Sequence, residues 1–220
     1  DIGEATLEVL TQTELHSQLD IIKHYENLLD ATKHQESDSS PYANAYAWAV
    51  QVMQGLTPLK VIQATKQAYN NESALKDHLD LRGDSKVKHF RRPYFYPEMI
   101  DLIGAFIENK YDVYIVSASN IWSVRWMASQ LNQKLKQSGF QGAIDLKNVI
   151  GVSTLLKNEK NILFKDMPLA TNNLKYKNLN EDQLKKYTLT DQINYPLTGY
   201  YGKVANIIKW IGKRPYFIAG

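Results

Sequence analysis

The chain of 220 residues contains no cysteine. Disulfide bonds and metal sites built on thiolates are therefore excluded, and the redox state of the protein's compartment is not indicated. Long apolar runs are missing as well. None approaches the roughly 18 residues that a membrane-spanning helix needs, so we expect no membrane span.

A signal peptide is also missing from the start of the sequence, which begins at Asp1 rather than at a methionine. We expect such a chain to have been trimmed or processed. The missing leader therefore does not decide between a cytoplasmic location and a periplasmic or secreted one.

The sequence has no strong excess of charge of one sign. Lysine and arginine number 26, aspartate and glutamate number 23, and the net charge is +3. The basic residues do not form the cluster typical of nucleic-acid-binding proteins, so we expect no nucleic-acid partner. With 44% apolar and 22% charged residues, the composition is globular, and the length suffices for one core domain with an inserted module. The composition leaves the oligomeric state open.

The most informative stretch covers residues 111–126. Residues 111–116 are rich in β-branched and aromatic side chains and predict a buried strand, whereas 121–136 carry the apolar repeat of a helix. Between them lies Ser-Ala-Ser-Asn (117–120), whose polar side chains are suited to capping that helix. Ligands of α/β proteins bind where a strand ends and a helix begins, because free N–H groups and the helix dipole attract anions there. The segment therefore indicates a phosphate site, unless these residues cap the helix and do nothing more.

The remaining patterns divide the chain into a helical part and a sheet-bearing part. Before the central strand, helices are predicted over residues 1–32, with a break near 11–13, and over 41–55, 59–69, 71–81 and 98–110. After it, the patterns predict a strand over 149–152, hairpin strands with an exposed insert within 153–190, a helix over 204–212 and a buried strand over 214–220.

Taken in order, several short motifs resemble those of the haloacid dehalogenase superfamily, in the branch of phosphoserine-phosphatase-like phosphohydrolases with a helical cap. They are DIGEA (1–5), YAWAVQVMQGL (46–56), VSASN (116–120), GKVANI (202–207) and PYFIAG (215–220). The resemblance implies an α/β fold, with a three-layer Rossmann-like core and a parallel sheet over residues 1–10 and 97–220. An inserted all-helical cap would cover residues 11–96.

The resemblance also implies the chemistry, which is Mg²⁺-dependent hydrolysis of a small phosphorylated metabolite through an aspartyl-phosphate. Ser117 would bond a nonbridging phosphoryl oxygen with help from the Ala118 N–H, and Asn120 would contribute to substrate binding. Lys203 would neutralise charge between the nucleophile and the phosphoryl group. These roles agree with the general requirement that fixed positive charge and N–H dipoles offset the repulsion between a carboxylate and a phosphate.

The substrate is expected to contact the cap. Phosphoserine phosphatases place an arginine in the cap helix, but residues 46–50 here include none, which argues against phosphoserine. Tyr46 and Trp48, together with Asp1 or Glu4, would suit a cationic head group through cation–π contact and charge pairing. Phosphocholine phosphatases, which are relatives in the superfamily, fit that description. The alternative is that these aromatic residues belong to the hydrophobic core.

Two motifs of the superfamily are not found in the chain. The Asp-x-Asp-x-Thr loop that bears the nucleophile would lie just before Asp1, and the acidic residues that hold the metal would follow Gly220. We therefore expect the complete protein to be the phosphatase, the Mg²⁺ ligands to lie mostly outside this chain, and this stretch alone to be inactive. The alternatives are an inactive member of the fold that acts as a binding or interaction module, and an unrelated α/β domain in which Ser117 only caps a helix.

Overall fold

The computed structural model describes residues 2–15, 21–33, 40–71, 94–166, 181–199 and 201–219. The fold of this part is mixed α/β, as predicted. Its α-helices are α1 (Ile2–Thr13), α2 (Ile21–Lys33), α3 (Ser40–Gln51), α4 (Pro58–Tyr69), α5 (Pro97–Glu108), α6 (Ile121–Gln137), α7 (Glu181–Leu184) and α8 (Tyr201–Trp210). The predicted helix over 71–81 lies outside the described residues, except for Asn71.

The first helices form because their apolar residues recur at helical spacing. Leu7 and Leu10 of α1 are fully buried against α4, where Val61 is fully buried too. Helix α4 begins where the N-cap Thr57 accepts a hydrogen bond from the Lys60 N–H at 3.3 Å, and proline occupies the first helical position. The predicted apolar stripes therefore become the hydrophobic core between helices.

Strands β1 (Ile115–Asn120) and β2 (Val149–Val152) form a parallel pair with α6 as the crossover between them. Ile115 pairs with Val149, and Val116 with Ile150. Because the strands are parallel, their carboxyl ends lie at the same edge. The predicted parallel pairing is therefore confirmed, whereas the three-layer core and the division into core and cap stay predictions.

The predicted bounds of the central strand are wrong. The strand begins at Ile115 instead of Tyr111, and it includes residues 117–120, which we expected to interrupt it. Tyr111 is exposed just after Lys110, whose φ of 65° turns the chain out of α5. Pairing with β2 decides where the strand starts, and β-propensity alone does not show that pairing.

A second sheet is antiparallel and consists of β3 (Thr154–Lys157), β4 (Leu163–Phe164) and β5 (Thr188–Ile193), in the order β4-β3-β5. It confirms the hairpin strands predicted within 153–190, although residues 167–180 are not described. The chain after α3 joins this sheet, since the Gly55 N–H donates to Leu189 O at 2.9 Å and the Leu189 N–H donates to Leu56 O at 2.8 Å.

The prediction of a buried strand over 214–220 is wrong for the described residues 214–219. They form no strand, and Tyr216 is 93% exposed. The Phe217 ring lies with its centroid 5.4 Å from that of the Phe106 ring in α5. Apolar sequence forms a strand only where a neighbouring strand pairs with it, and no described strand pairs with this segment.

Helix α8 begins three residues earlier than predicted, so that Tyr201, Gly202 and Lys203 form its first turn. In the described part of the chain, no helix is both long and apolar enough to cross a membrane.

Candidate functional site

The carboxyl end of β1 passes directly into α6 through a hydrogen-bonded turn. The Ser117 Oγ accepts the N–H of Ser119 at 3.1 Å, and the Asn120 Oδ1 accepts the N–H of Trp122 at 2.9 Å. The Asn120 Nδ2 in turn donates to the Met53 Sδ at 3.3 Å. Asn120 is therefore the N-cap of α6, and both ends of its amide are bonded within the protein. The N-terminus of α6 opens at the same edge as the end of β1.

A pocket lies at this edge, and we call it the strand-end pocket. Its cavity volume is only about 20 Å³, and its mouth opens to solvent. Ala118, Ser119 and Asn120 form one wall, and residues of α1, α2 and α3 and the turn after α3 form the others. Those other lining residues are Gly3, Glu4, Leu7, Tyr25, Tyr46, Ala49, Val50 and Met53. Four residues predicted to bind substrate, Glu4, Tyr46, Ala118 and Asn120, thus line a single pocket.

The strand-end pocket is anionic and aromatic. Glu4 is the one charged side chain among its described lining residues, and two phenols, Tyr25 and Tyr46, accompany it. Tyr25 is only 4% exposed. Burial raises the pKa of the Tyr25 phenol well above its usual range, and the nearby Glu4 carboxylate and Tyr46 raise it further. Tyr25 is therefore a neutral hydrogen-bond donor at physiological pH.

The loop before α8 reaches the same pocket. Gly199 packs on the Tyr46 ring so closely that a Cβ at this position would lie 3.1 Å from the Tyr46 Cδ2. Helix α8 then begins and contacts β1, with Lys203 exposed in its first turn. Ser117 is half-buried, and neither Ser117 nor Lys203 belongs to the lining of the pocket.

Two other residues, Trp48 and Asp1, were predicted to bind substrate. Of these, Trp48 is described, and it does not line the strand-end pocket. The Trp48 ring is half-buried, and its centroid lies 4.7 Å from that of the His24 ring. Asp1 lies outside the described residues. Tyr25, by contrast, was not predicted as a site residue. It lies in the helix predicted over residues 1–32, and the apolar pattern of such a helix does not distinguish a pocket wall from the core.

The described residues do not make up a magnesium site. Magnesium is held by carboxylates and water, and Glu4 is the single carboxylate that lines the strand-end pocket. Elsewhere in the described ranges, no group of three or more histidine, aspartate or glutamate side chains is placed to hold a metal ion.

Helix α6 also carries a buried ion pair, which the sequence did not reveal. The Arg125 Nη2 lies 2.7 Å from the Asp166 Oδ2, and both side chains are buried. The other carboxylate oxygen of Asp166 accepts from the Asn194 Nδ2 at 3.4 Å. This pair connects α6, whose N-terminus faces the site, to the chain that leaves β4 and β5.

Comparison with known proteins adds no family to this description, since the chain matches no protein-family model and no curated protein at a significant level.

Proposed function

We propose that this chain belongs to a phosphohydrolase of the haloacid dehalogenase type, which cleaves a small phosphomonoester through an aspartyl-phosphate. One observation carries the proposal. Glu4, Tyr46, Ala118 and Asn120, selected from the sequence as substrate-binding residues, line a single pocket at the carboxyl end of a parallel strand. Parallel α/β sheets bind their ligands at such ends.

The phosphoryl group would bind where β1 meets α6. The Ser117 Oγ accepts the Ser119 N–H, so its own proton can be donated to a phosphoryl oxygen. The Ala118 N–H would add a second donor, and the N-terminus of α6 would add the favourable end of its dipole. Lys203 would supply the full positive charge that lets a carboxylate approach a phosphate dianion. The resemblance places that carboxylate outside residues 1–220.

The rest of the substrate would lie at the solvent-open mouth of the strand-end pocket, where the chemistry of the lining suits a cationic head group. The Glu4 carboxylate is its counter-charge, while Tyr25 and Tyr46 offer aromatic rings. A cation over an aromatic face gains about 0.5–2 kcal/mol, more when the pair is desolvated. An anionic head group would instead face the Glu4 charge, which agrees with the earlier argument against phosphoserine.

The proposal is tested by hydrolysis of an aryl phosphate with the complete protein. We expect Ser117→Ala and Lys203→Ala each to lower kcat/KM by about 100-fold or more, because each removes charge stabilisation of the transition state. Lys136→Ala is the matched control, since Lys136 is an exposed lysine in the last turn of α6. Unchanged hydrolysis by both site variants would refute the assignment.

A second candidate is an inactive member of the same fold that binds a phosphomonoester without cleaving it. It differs from the first candidate in one respect: the complete protein would lack the nucleophile and the separate acid/base that the aspartyl-phosphate route needs. Under this alternative the complete protein binds a phosphomonoester in a Lys203-dependent manner and shows no turnover.

A further inference from the structure

Asn206 connects the turns of α8 to the loop that precedes the helix. Its side chain is 3% exposed and lies in four hydrogen bonds. Three acceptors share the two Nδ2 protons: Pro196 O at 2.8 Å, Gly202 O at 3.0 Å and the Thr198 Oγ1 at 3.1 Å. The Oδ1 accepts the indole N–H of Trp210 at 3.0 Å. One buried amide therefore fixes the first turn of α8 against the loop.

The same network continues to the parallel sheet. The Thr198 Oγ1 donates to the carbonyl of Gly151, in β2, at 3.0 Å. Gly151 lies beside the end of β1, because a Cβ on it would come within 3.0 Å of Ser119 O and 2.9 Å of the Ile121 Cα. The path from Asn206 through Thr198 to Gly151 thus ends where the proposed phosphate site begins.

The first turn of α8 also has little freedom to shift along the loop. A Cβ on Gly202 would lie 1.7 Å from Leu197 O, so the helix and the loop are in direct backbone contact at this point. The Gly202 N–H donates to Gly199 O at 2.7 Å. Lys203 is the next residue, and its backbone is therefore held by the same contacts that hold Gly202.

We infer that Asn206 is the positioning residue for Lys203. Through Thr198 it holds the first turn of α8 at a fixed place relative to the end of β1, and this sets where the Lys203 ammonium meets a phosphate. Asn206 itself contacts no substrate. Because Lys203 matters only if it binds the phosphoryl group, this role rests on the proposed function.

If Asn206 only stabilised the fold and did not position Lys203, a different result would be expected. In that case the four hydrogen bonds stabilise α8, and their loss lowers the melting temperature without a specific effect on anion binding. A positioning role requires that the effect of Asn206 on phosphate affinity passes through Lys203. A double-mutant cycle between the two residues separates these cases.

The experiment measures the affinity of the protein for inorganic phosphate by calorimetric titration, in the wild type, Lys203→Ala, Asn206→Leu and the double variant. Loss of a charge-assisted hydrogen bond predicts about tenfold weaker binding for Lys203→Ala. We expect about fivefold weaker binding for Asn206→Leu in the wild-type background, and less than about twofold in the Lys203→Ala background. Equal effects in both backgrounds, or none in the wild type, would overturn the inference.

Two further variants keep the test decisive. If Asn206→Leu does not fold, Thr198→Val removes the hydroxyl that bonds Gly151 O, and Thr198→Ser retains it. We then expect the serine variant to bind phosphate like the wild type and the valine variant to bind it more weakly, and equal binding by both overturns the inference. Asn109→Ala is the matched control, because the Asn109 amide donates locally, to Ala105 O of α5 at 2.8 Å.

Failure of this inference is distinguishable from failure of the proposed function. If Lys203→Ala leaves phosphate binding unchanged, the proposed function is contradicted and the role of Asn206 falls with it. If Lys203 matters and Asn206 does not, only the positioning role is wrong.

Discussion

The buried ion pair between Arg125 and Asp166 allows the most quantitative prediction. Replacing Asp166 with asparagine keeps the shape of the side chain but removes its charge. The Arg125 guanidinium, whose side chain is 1% exposed, then stays buried without the carboxylate that lies 2.7 Å from it. Removing one partner of a buried pair typically costs about 3–5 kcal/mol, because the remaining charge is uncompensated.

We expect Asp166→Asn to lower the free energy of unfolding by about 3 kcal/mol, at the lower end of that range. The cost stays low because the amide oxygen of asparagine can still accept a hydrogen bond from Arg125. The Arg125 Cζ also lies 5.2 Å from the centroid of the Trp122 ring, a contact that the substitution leaves in place. For a chain of this size, a loss of 3 kcal/mol lowers the melting temperature by about 6–12 °C.

The assay is urea unfolding followed by circular dichroism. Lys147→Gln is the control, since its ammonium lies 3.3 Å from the Asp145 Oδ2 in a pair whose side chains are more than half exposed. Exposed pairs contribute about 0–1 kcal/mol. The double variant Arg125→Met, Asp166→Leu should be more stable than Asp166→Asn, because it leaves no buried charge. If Asp166→Asn lowers the free energy of unfolding by less than about 1 kcal/mol, the Asp166 charge does not compensate that of Arg125 as we infer.

Three further predictions concern the site. Gly202→Ala places a Cβ 1.7 Å from Leu197 O, so we expect a loss of about 1–3 kcal/mol in urea unfolding, and an unchanged midpoint would contradict the contact. The Tyr25 pKa is raised in the folded protein, so the unfolded chain loses the phenol proton first as the pH rises. The free energy of unfolding should therefore fall above about pH 10, by up to about 1.4 kcal/mol per pH unit. In Tyr25→Phe the free energy of unfolding should not show this fall. If it depends on pH above about pH 10 in the same way in the wild type and in Tyr25→Phe, the prediction is wrong. Glu4→Gln should weaken phosphocholine binding about fivefold in calorimetric titration while sparing inorganic phosphate, and equal losses for both ligands would argue against a cation subsite.

Local periodicity was sufficient to predict most helices and the strand at 149–152. Helix α6, for example, ends one residue from its predicted bound because its apolar repeat and its Asn120 cap are both visible in the sequence. The same holds for the helices α4 and α5, which begin at or next to prolines that favour a first turn.

Features that depend on a distant partner were not predictable. The start of β1 is set by its pairing with β2, and the apolar segment 214–219 stays exposed because no described strand pairs with it. Arg125 and Asp166 are 41 residues apart, so no local pattern connects them. For the candidate site, the sequence indicated Glu4 and the end of β1 but did not indicate Tyr25.

The proposed phosphate site requires Ser117 and Lys203 to meet over the carboxyl end of β1 around one phosphate. A crystal structure of the protein grown with inorganic phosphate tests it most directly. We expect phosphate oxygens about 3 Å from both the Ser117 Oγ and the Lys203 Nζ. A phosphate bound elsewhere, or two side chains that open onto opposite faces of the sheet, would contradict it.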